Sequence, residues 1–223
     1  MLELDEYLSI HKKPLQPLDI KIDVDLFEKQ MEEYKYAFRR WGIKHLEYPR
    51  YGAPLVNMNG EMFNNPEPVC YPLDQWNGDK PEEDRIYDPM ITTPTEMLSA
   101  SCFDPLEQLK PYMLRSCILK WHDTGHFKPH TDTWIPSEII RLWGTNDPDH
   151  MQLQFDKDGK RCSPFDVNDI DYNLVPSEKV EAGRLYVIDT HVIHDALATG
   201  DNVYQFFIAL SVDSLPVLRE AGL

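Results

Sequence analysis

From residue 112 onward the chain runs through short stretches rich in aromatic and branched residues, MLRSCILKW, IIRLWGT, HMQLQF, RLYVID and VYQFFIALSV, cut apart by DTG, NDPD, DKDG, EAG and ATGDN. Such side chains fit a pleated, half-buried surface, and Gly, Asp and Asn tolerate the tight turns between strands. No long amphipathic helix lies between these stretches, so a parallel sheet would lack its crossover connections. Several short strands in about a hundred residues predict a mainly β fold, an antiparallel jelly roll or barrel.

The half before this texture reads differently. Phe27, Met31, Tyr34, Phe38 and Trp41 recur at helical spacing and predict one amphipathic helix packed on a sheet. Asp25 with Glu28 resembles its capping box, and Gly42 suits its stop. Residues 46–100 are rich in Pro, Asn, Asp and Gly, which predicts ordered loops and short strands wrapping the core. Asp104 and Pro105 predict the cap and first position of a short helix. The expectation is a single domain over 1–223, with 1–110 a helical and loop extension and 111–215 the β core.

The formal net charge is −16, from 38 acidic and 22 basic side chains, which argues against general binding to phosphate backbones. The basic cluster Arg39, Arg40, Lys44 and Arg50 reads as the solvated face of a helix end. No apolar run approaches the roughly 20 residues that cross a bilayer. The N-terminal MLELDEYLSIHKKP lacks the order of a secretory signal. Cys70, Cys102, Cys117 and Cys162 form no CxxC pair, so they read as free thiols, and the expected location is the cytoplasm.

The stretch GHFKPHTDTW places His130 and Asp132 two residues apart, on one face of a strand. An imidazole and a carboxylate so placed reach one metal ion, with a third ligand from a strand adjacent in space. Downstream, RLYVIDTHVIHDA offers His191 and His194. Two histidines and one carboxylate on one side of a metal leave positions open, the arrangement of non-haem Fe(II) oxygenases.

Taken together, GHFKPHTD, IIRLWGTN, GRLYVIDTHVIHDA and FFIALSVD resemble the aspartyl/asparaginyl β-hydroxylase group, which includes free-proline hydroxylases, among the 2-oxoglutarate-dependent Fe(II) oxygenases. The resemblance covers roughly 112–215. It implies a double-stranded β-helix, the cupin-like jelly roll, with Fe(II) on His130, Asp132 and His194, and with 2-oxoglutarate and dioxygen consumed together. His194 fits the group's distal pattern, with Ile188-Asp189 at its head, and His191 is the rival. Because Asp132 fills a position that halogenating relatives leave to chloride, the resemblance implies hydroxylation. It also implies Arg141 as a co-substrate residue, in a strand soon after the metal motif. About ten residues after the distal histidine the group carries an arginine, where this chain has Tyr204. A phenol offers one hydrogen bond and no charge. Another cation must then hold the far carboxylate, and Arg141 and Lys120 are the candidates. His122 and His126 read as supporting or surface residues, with Pro129 able to break the strand's phase.

The oxygen acceptor is expected to be an amino acid, a peptide side chain or a small metabolite, walled partly by Arg50, Tyr51, Asn57, Asn59 and Trp76. The acidic excess leans toward a neutral or cationic substrate. The rival readings are a cupin-type metalloenzyme that uses no 2-oxoglutarate and a ligand-binding jelly roll without catalysis. No oligomeric state is legible.

Overall fold

The computed structural model describes residues 2, 4–40, 50–62, 77–132, 139–161 and 170–223, and in it twelve strands form two antiparallel sheets. The larger follows the order β1 (Leu15–Lys21), β10 (Arg184–Ile188), β7 (Ile139–Thr145), β12 (Val203–Ser211), β5 (Ser116–Trp121), β3 (Arg50–Asn57) and β2 (Arg39–Arg40), with β4 (Thr93–Pro94) also on β3. The smaller runs β6 (Gly125–His130), β11 (His194–Ala198), β8 (Met151–Asp156) and β9 (Leu174–Pro176). Two facing antiparallel sheets of non-consecutive strands make the double-stranded β-helix, and the expected runs occupy β5, β7, β8, β10 and β12. The helices are α1 (Leu4–Ile10), α2 (Val24–Glu33) and α3 (Leu215–Glu220).

The large sheet is covered on both faces, which is why IIRLWGT reads as nearly continuous apolar sequence. Ile140, Leu142, Phe206 and Ile208 face outward onto Phe27 and Met31 of α2, and onto Phe103. Full burial of side chains of this size stabilises the fold by about 2–3 kcal/mol each. On the inner face Trp121, Trp143 and Val203 meet Met151, Leu153 and Phe155 of the small sheet. The metal motif lies on this inner side. Gly183 lets β10 begin beside β1. Its φ is +74°, and a Cβ there would stand 2.1 Å from the carbonyl oxygen of Ile22.

The first 110 residues do more than wrap the core, since β1 and β3 are full members of the large sheet. The expected helix is shorter than its aromatic stripe. Asp23, not Asp25, caps α2 by accepting from the Leu26 N–H at 3.0 Å. After Glu33 the chain makes a 3-10 turn, Lys35–Ala37, and Phe38 is extended. Phe38 still packs on the core, so a turn satisfies the same apolar spacing while freeing Arg39 and Arg40 to pair with β3. Aromatic residues, weak helix formers, yield readily to that pairing. Trp41, Gly42 and Lys44 lie outside the described residues, as do Trp76, Cys70 and Cys162; Cys102 and Cys117 are buried.

Asp104 also caps nothing. It lies with Pro105 inside a 3-10 segment, Ser101–Leu106, preceded by Ala100. The N–H that Pro105 lacks falls between two short-range bonds, Phe103 N–H to Ala100 O and Glu107 N–H to Asp104 O. No helix among the described residues is long and apolar enough to cross a membrane.

Candidate metal centre

β6 ends at His130 and β11 begins at His194, directly across from it in the register. Asp132 follows two residues after β6, held by its N–H on the Thr190 carbonyl at 3.0 Å. One ligand atom from each of His130, Asp132 and His194 lies within 4.8 Å of the others, on the inner side of the small sheet. Pro129, which has no N–H to donate, coincides with a register slip between β6 and β11. Two residues then stand against one, so Phe127 and His130, three apart, share a face with their rings at 4.1 Å. His126 points elsewhere and pairs with Asp195 at 2.8 Å. His122 rests against Tyr51, with ring centroids at 5.1 Å.

Both imidazoles are fixed by the main chain. His130 Nδ1 is 2.7 Å from the Lys128 carbonyl and His194 Nδ1 is 2.8 Å from that of Val192. A carbonyl only accepts, so each Nδ1 carries the proton and each Nε2 keeps a lone pair for a metal. His130 Nε2 then faces Asp132 Oδ1 at 3.2 Å, two acceptors in contact. Such a pair repels unless a proton or a metal ion lies between them, and a nitrogen pair with one carboxylate suits Fe(II). Electrostatics prepare the same state. Burial, aided by His130, pushes the His194 imidazole down to about 4, against the opposing charge of Asp132. Without a metal a proton can take its place between the two: burial raises Asp132, but the hydrogen bond and charge of a doubly protonated His130, with His194 and Arg141, hold its carboxyl far below the carboxylate range.

His191 is buried but stands apart from this cluster. Its ring meets Tyr7 of α1 at 4.4 Å. Beside it, fully buried Asp189 accepts from the Tyr7 hydroxyl at 3.1 Å, from Arg161 at 2.6 and 3.2 Å, and from the His191 N–H at 3.1 Å. These bonds pin the turn that presents Thr190 and His194, and Tyr7 and Arg161 carried no sequence signal for that role.

The residues read as co-substrate contacts divide between two faces. Arg141, on β7, is buried on the inner side, with its guanidinium 4.8 Å above the Phe207 ring. One of its nitrogens donates to Asp88, which also accepts from Arg115 at 3.2 Å. Its Nε and Nη1 have no partner among the described residues. Tyr204 and Lys120 are directly paired across β12 and β5 and lie on the outer face. Tyr204 packs against Phe27 and Phe38 at 5.3 and 5.8 Å, and the Lys120 ammonium sits 5.3 Å from the Tyr204 ring. The inward side chain there is Gln205, buried and with its Oε1 unpartnered among the described residues. Donors without a partner among the described residues collect on the same side, on Trp121 Nε1, Trp143 Nε1 and Arg141. A buried donor left alone costs about 1–3 kcal/mol, so this arrangement favours a ligand rich in acceptors. Arg50, read from its cluster as a surface residue, is buried instead, whereas Arg39 and Arg40 are exposed. Asn57 turns its amide to the 57–61 turn, donating to the Glu61 carbonyl at 2.6 Å.

Asp88 carries a pH signature. Burial raises its pKa, but Arg141 and Arg115 more than offset this and hold it below the usual range. Its folded pKa is therefore lower than its unfolded value of about 3.9, so its stabilising effect is present above that pH and is lost as pH falls through the folded value. In paired melts of the parent and Asp88→Asn, the stability gap should be constant near neutrality and shrink from about pH 4 downward. A gap independent of acidification would show that the pair does not shift the carboxyl.

No family model and no curated protein sequence matches this chain. Among solved structures it is similar to EvdMO1, at 13% identity and TM-score 0.33 over 48% of this chain and 30% of that one. It is similar to SnoN, a non-haem α-ketoglutarate-dependent epimerase from nogalamycin biosynthesis, at 10% identity and TM-score 0.48 over 93% and 80% of the two chains. A third is HygX from Streptomyces hygroscopicus, solved with nickel and 2-oxoglutarate bound, at 10% identity and TM-score 0.40 over 95% and 88%. Scores of this size assign neither a family nor a substrate to this chain.

Proposed function

We propose that this chain is an Fe(II)- and 2-oxoglutarate-dependent dioxygenase that hydroxylates an amino acid, a peptide side chain or a small metabolite, releasing succinate and carbon dioxide. The observation that carries this reading is the facing of His130 Nε2 and Asp132 Oδ1 beside His194, with both Nδ1 atoms already bound to carbonyls. His130, Asp132 and His194 would hold the iron and leave open positions for ligands. With 2-oxoglutarate and dioxygen, the metal supplies the oxidising power that an unactivated C–H bond requires. The protein's own part is to place and to shield. Arg141 offers two guanidinium nitrogens with no partner among the described residues on the inner side, which suits the far carboxylate of a dicarboxylate. The indole N–H groups of Trp121 and Trp143 are further donors there, and Phe127, Phe155 and Phe207 keep water from the metal's surroundings.

The test is anaerobic titration of the purified protein with Fe(II), then with 2-oxoglutarate, watched for the visible charge-transfer band of the ternary complex. Admitting oxygen should then yield succinate slowly without any prime substrate. Bound iron with neither band nor succinate above a metal-free control would move the chain to the metalloenzymes that use no 2-oxoglutarate.

A further inference from the structure

We propose that Tyr7 of α1 is a positioning residue of the metal centre, acting through Asp189 on two of the three ligands. This rests on the metal-centre reading above and not on which co-substrate joins the metal. The turn between β10 and β11, residues 189–193, is buried throughout. Its Thr190 carbonyl holds the Asp132 N–H at 3.0 Å, and its Val192 carbonyl holds His194 Nδ1 at 2.8 Å. Asp132 and His194 therefore take their bearing from one turn. That turn is tied to the N-terminal segment through both halves of Asp189. The Asp189 N–H donates to the Pro14 carbonyl at 2.9 Å, just before β1. The Asp189 carboxylate accepts from the Tyr7 hydroxyl at 3.1 Å. The Thr190 side chain hydrogen-bonds the same phenol.

The chemistry of Tyr7 separates this role from plain packing. α1 has seven residues, too few to hold a helix without tertiary contacts. Tyr7 and Ile10 seat it, at 2% and 6% exposure. A phenylalanine would seat it as well, and a buried hydroxyl is costly unless it is bonded. The phenol ring is fixed on two sides, stacked on His11 at 3.9 Å and edge-on to His191 at 4.4 Å. Its hydroxyl is thereby aimed at Asp189, whose Oδ1 also takes the His191 N–H and whose Oδ2 takes Arg161. Burial and the Asp189 charge push the phenol far above its usual range, so it stays a donor. Without it, a fully buried carboxylate oxygen loses a donor, and the residue that heads the turn can shift. A coupling free energy is shared by both events, so bound metal should in turn steady α1.

The experiment uses the full chain, with anaerobic Fe(II) and with Co(II) as a spectroscopic probe. Tyr7→Phe removes one oxygen and should weaken binding of both ions by about tenfold, the lower end of the cost of losing an outer support of a metal ligand. The ligand-field bands of bound Co(II) should shift, which a loss of stability alone does not cause. Ile10→Val trims the same helix and leaves the hydroxyl in place. It should lower the melting temperature and keep the parent's metal constant and spectrum. In an Asp189→Asn background Tyr7→Phe should cost little more, because the path to the ligands is already cut. Amide exchange keeps the test open if Asp189→Asn does not fold. Loading the parent with Co(II) should slow exchange across α1, and Tyr7→Phe should remove that protection. Binding by Tyr7→Phe within about twofold of the parent, with an unchanged spectrum, would overturn the inference. So would α1 exchange that ignores the metal, or equal weakening by Ile10→Val, since packing alone would then explain the effect. A parent that binds neither ion would defeat the metal-centre reading itself, and the inference with it.

Discussion

Fe(II) uptake should fall below detection in His130→Ala, Asp132→Ala and His194→Ala, and should survive in His191→Ala. Each of the first three removes one of only three protein ligands, whose donor atoms lie within 4.8 Å of one another. Losing even an outer hydrogen-bond partner of a metal ligand costs about 10–100-fold in affinity, and losing the ligand itself costs more. The three are not interchangeable in what they leave behind. Without Asp132 the two imidazoles remain tied to the Lys128 and Val192 carbonyls, but the site loses its negative charge. Without His194 a void opens against Phe155, whose ring stacks on the imidazole at 5.8 Å. His191→Ala removes packing against Tyr7 and touches none of the donor atoms, so affinity should stay within about tenfold of the parent, the mild end of such outer effects. Metal analysis after dialysis, with far-UV spectra to confirm folding, reads all four. Uptake abolished by His191→Ala and retained by His194→Ala would reverse the distal assignment.

The strands were legible where burial on both faces leaves an apolar run, as in Ile139–Thr145, and where a turn residue marks each end. The helix was legible in kind but not in length, because Phe38 meets the same core after a change of backbone. At the site, the two-residue spacing pointed to His130 and Asp132, the family resemblance preferred His194 to His191, and the fold brings these three side chains together. Counting from the distal histidine gives a distance and not a face, and there it fails. Tyr204 stands at the right count, yet its pairing with Lys120 puts both outside and turns Gln205 inward. The alternation of Tyr204, Phe206 and Ile208 was readable; which alternate set faced the metal depended on α2 covering the other. Arg50 had two readings in the sequence, the end of a basic cluster and part of the substrate wall, and its pairing with Trp121 carries it between the sheets.

Arg141→Ala should raise the apparent 2-oxoglutarate constant by about 30-fold to several thousand-fold, with iron uptake preserved and Tyr204→Phe indistinguishable from the parent. Removing one partner of a buried charged pair costs about 2–5 kcal/mol, which sets that range. Tyr204 is on the outer face against Phe27 and Phe38, so its hydroxyl has no path to the co-substrate. Loss of Arg141 also weakens the fold, since among the described residues Asp88 then keeps only Arg115 as a cationic partner. A merely structural role is separated from an anchoring one by Asp88→Asn. If Arg141 only braces the barrel, breaking the pair from either side should loosen co-substrate binding. If Arg141 holds the far carboxylate, Asp88 competes for the same guanidinium, and neutralising it should tighten 2-oxoglutarate while Arg141→Ala weakens it. Opposite signs from the two halves of one ion pair are the expected result, read by titrating the ternary band in the three proteins. Should Arg141→Ala bind 2-oxoglutarate like the parent, the anchor lies elsewhere. Lys120 is then a poor successor, because its ammonium rests on Tyr204 outside the sheet, and Arg50 becomes the inner cation to test.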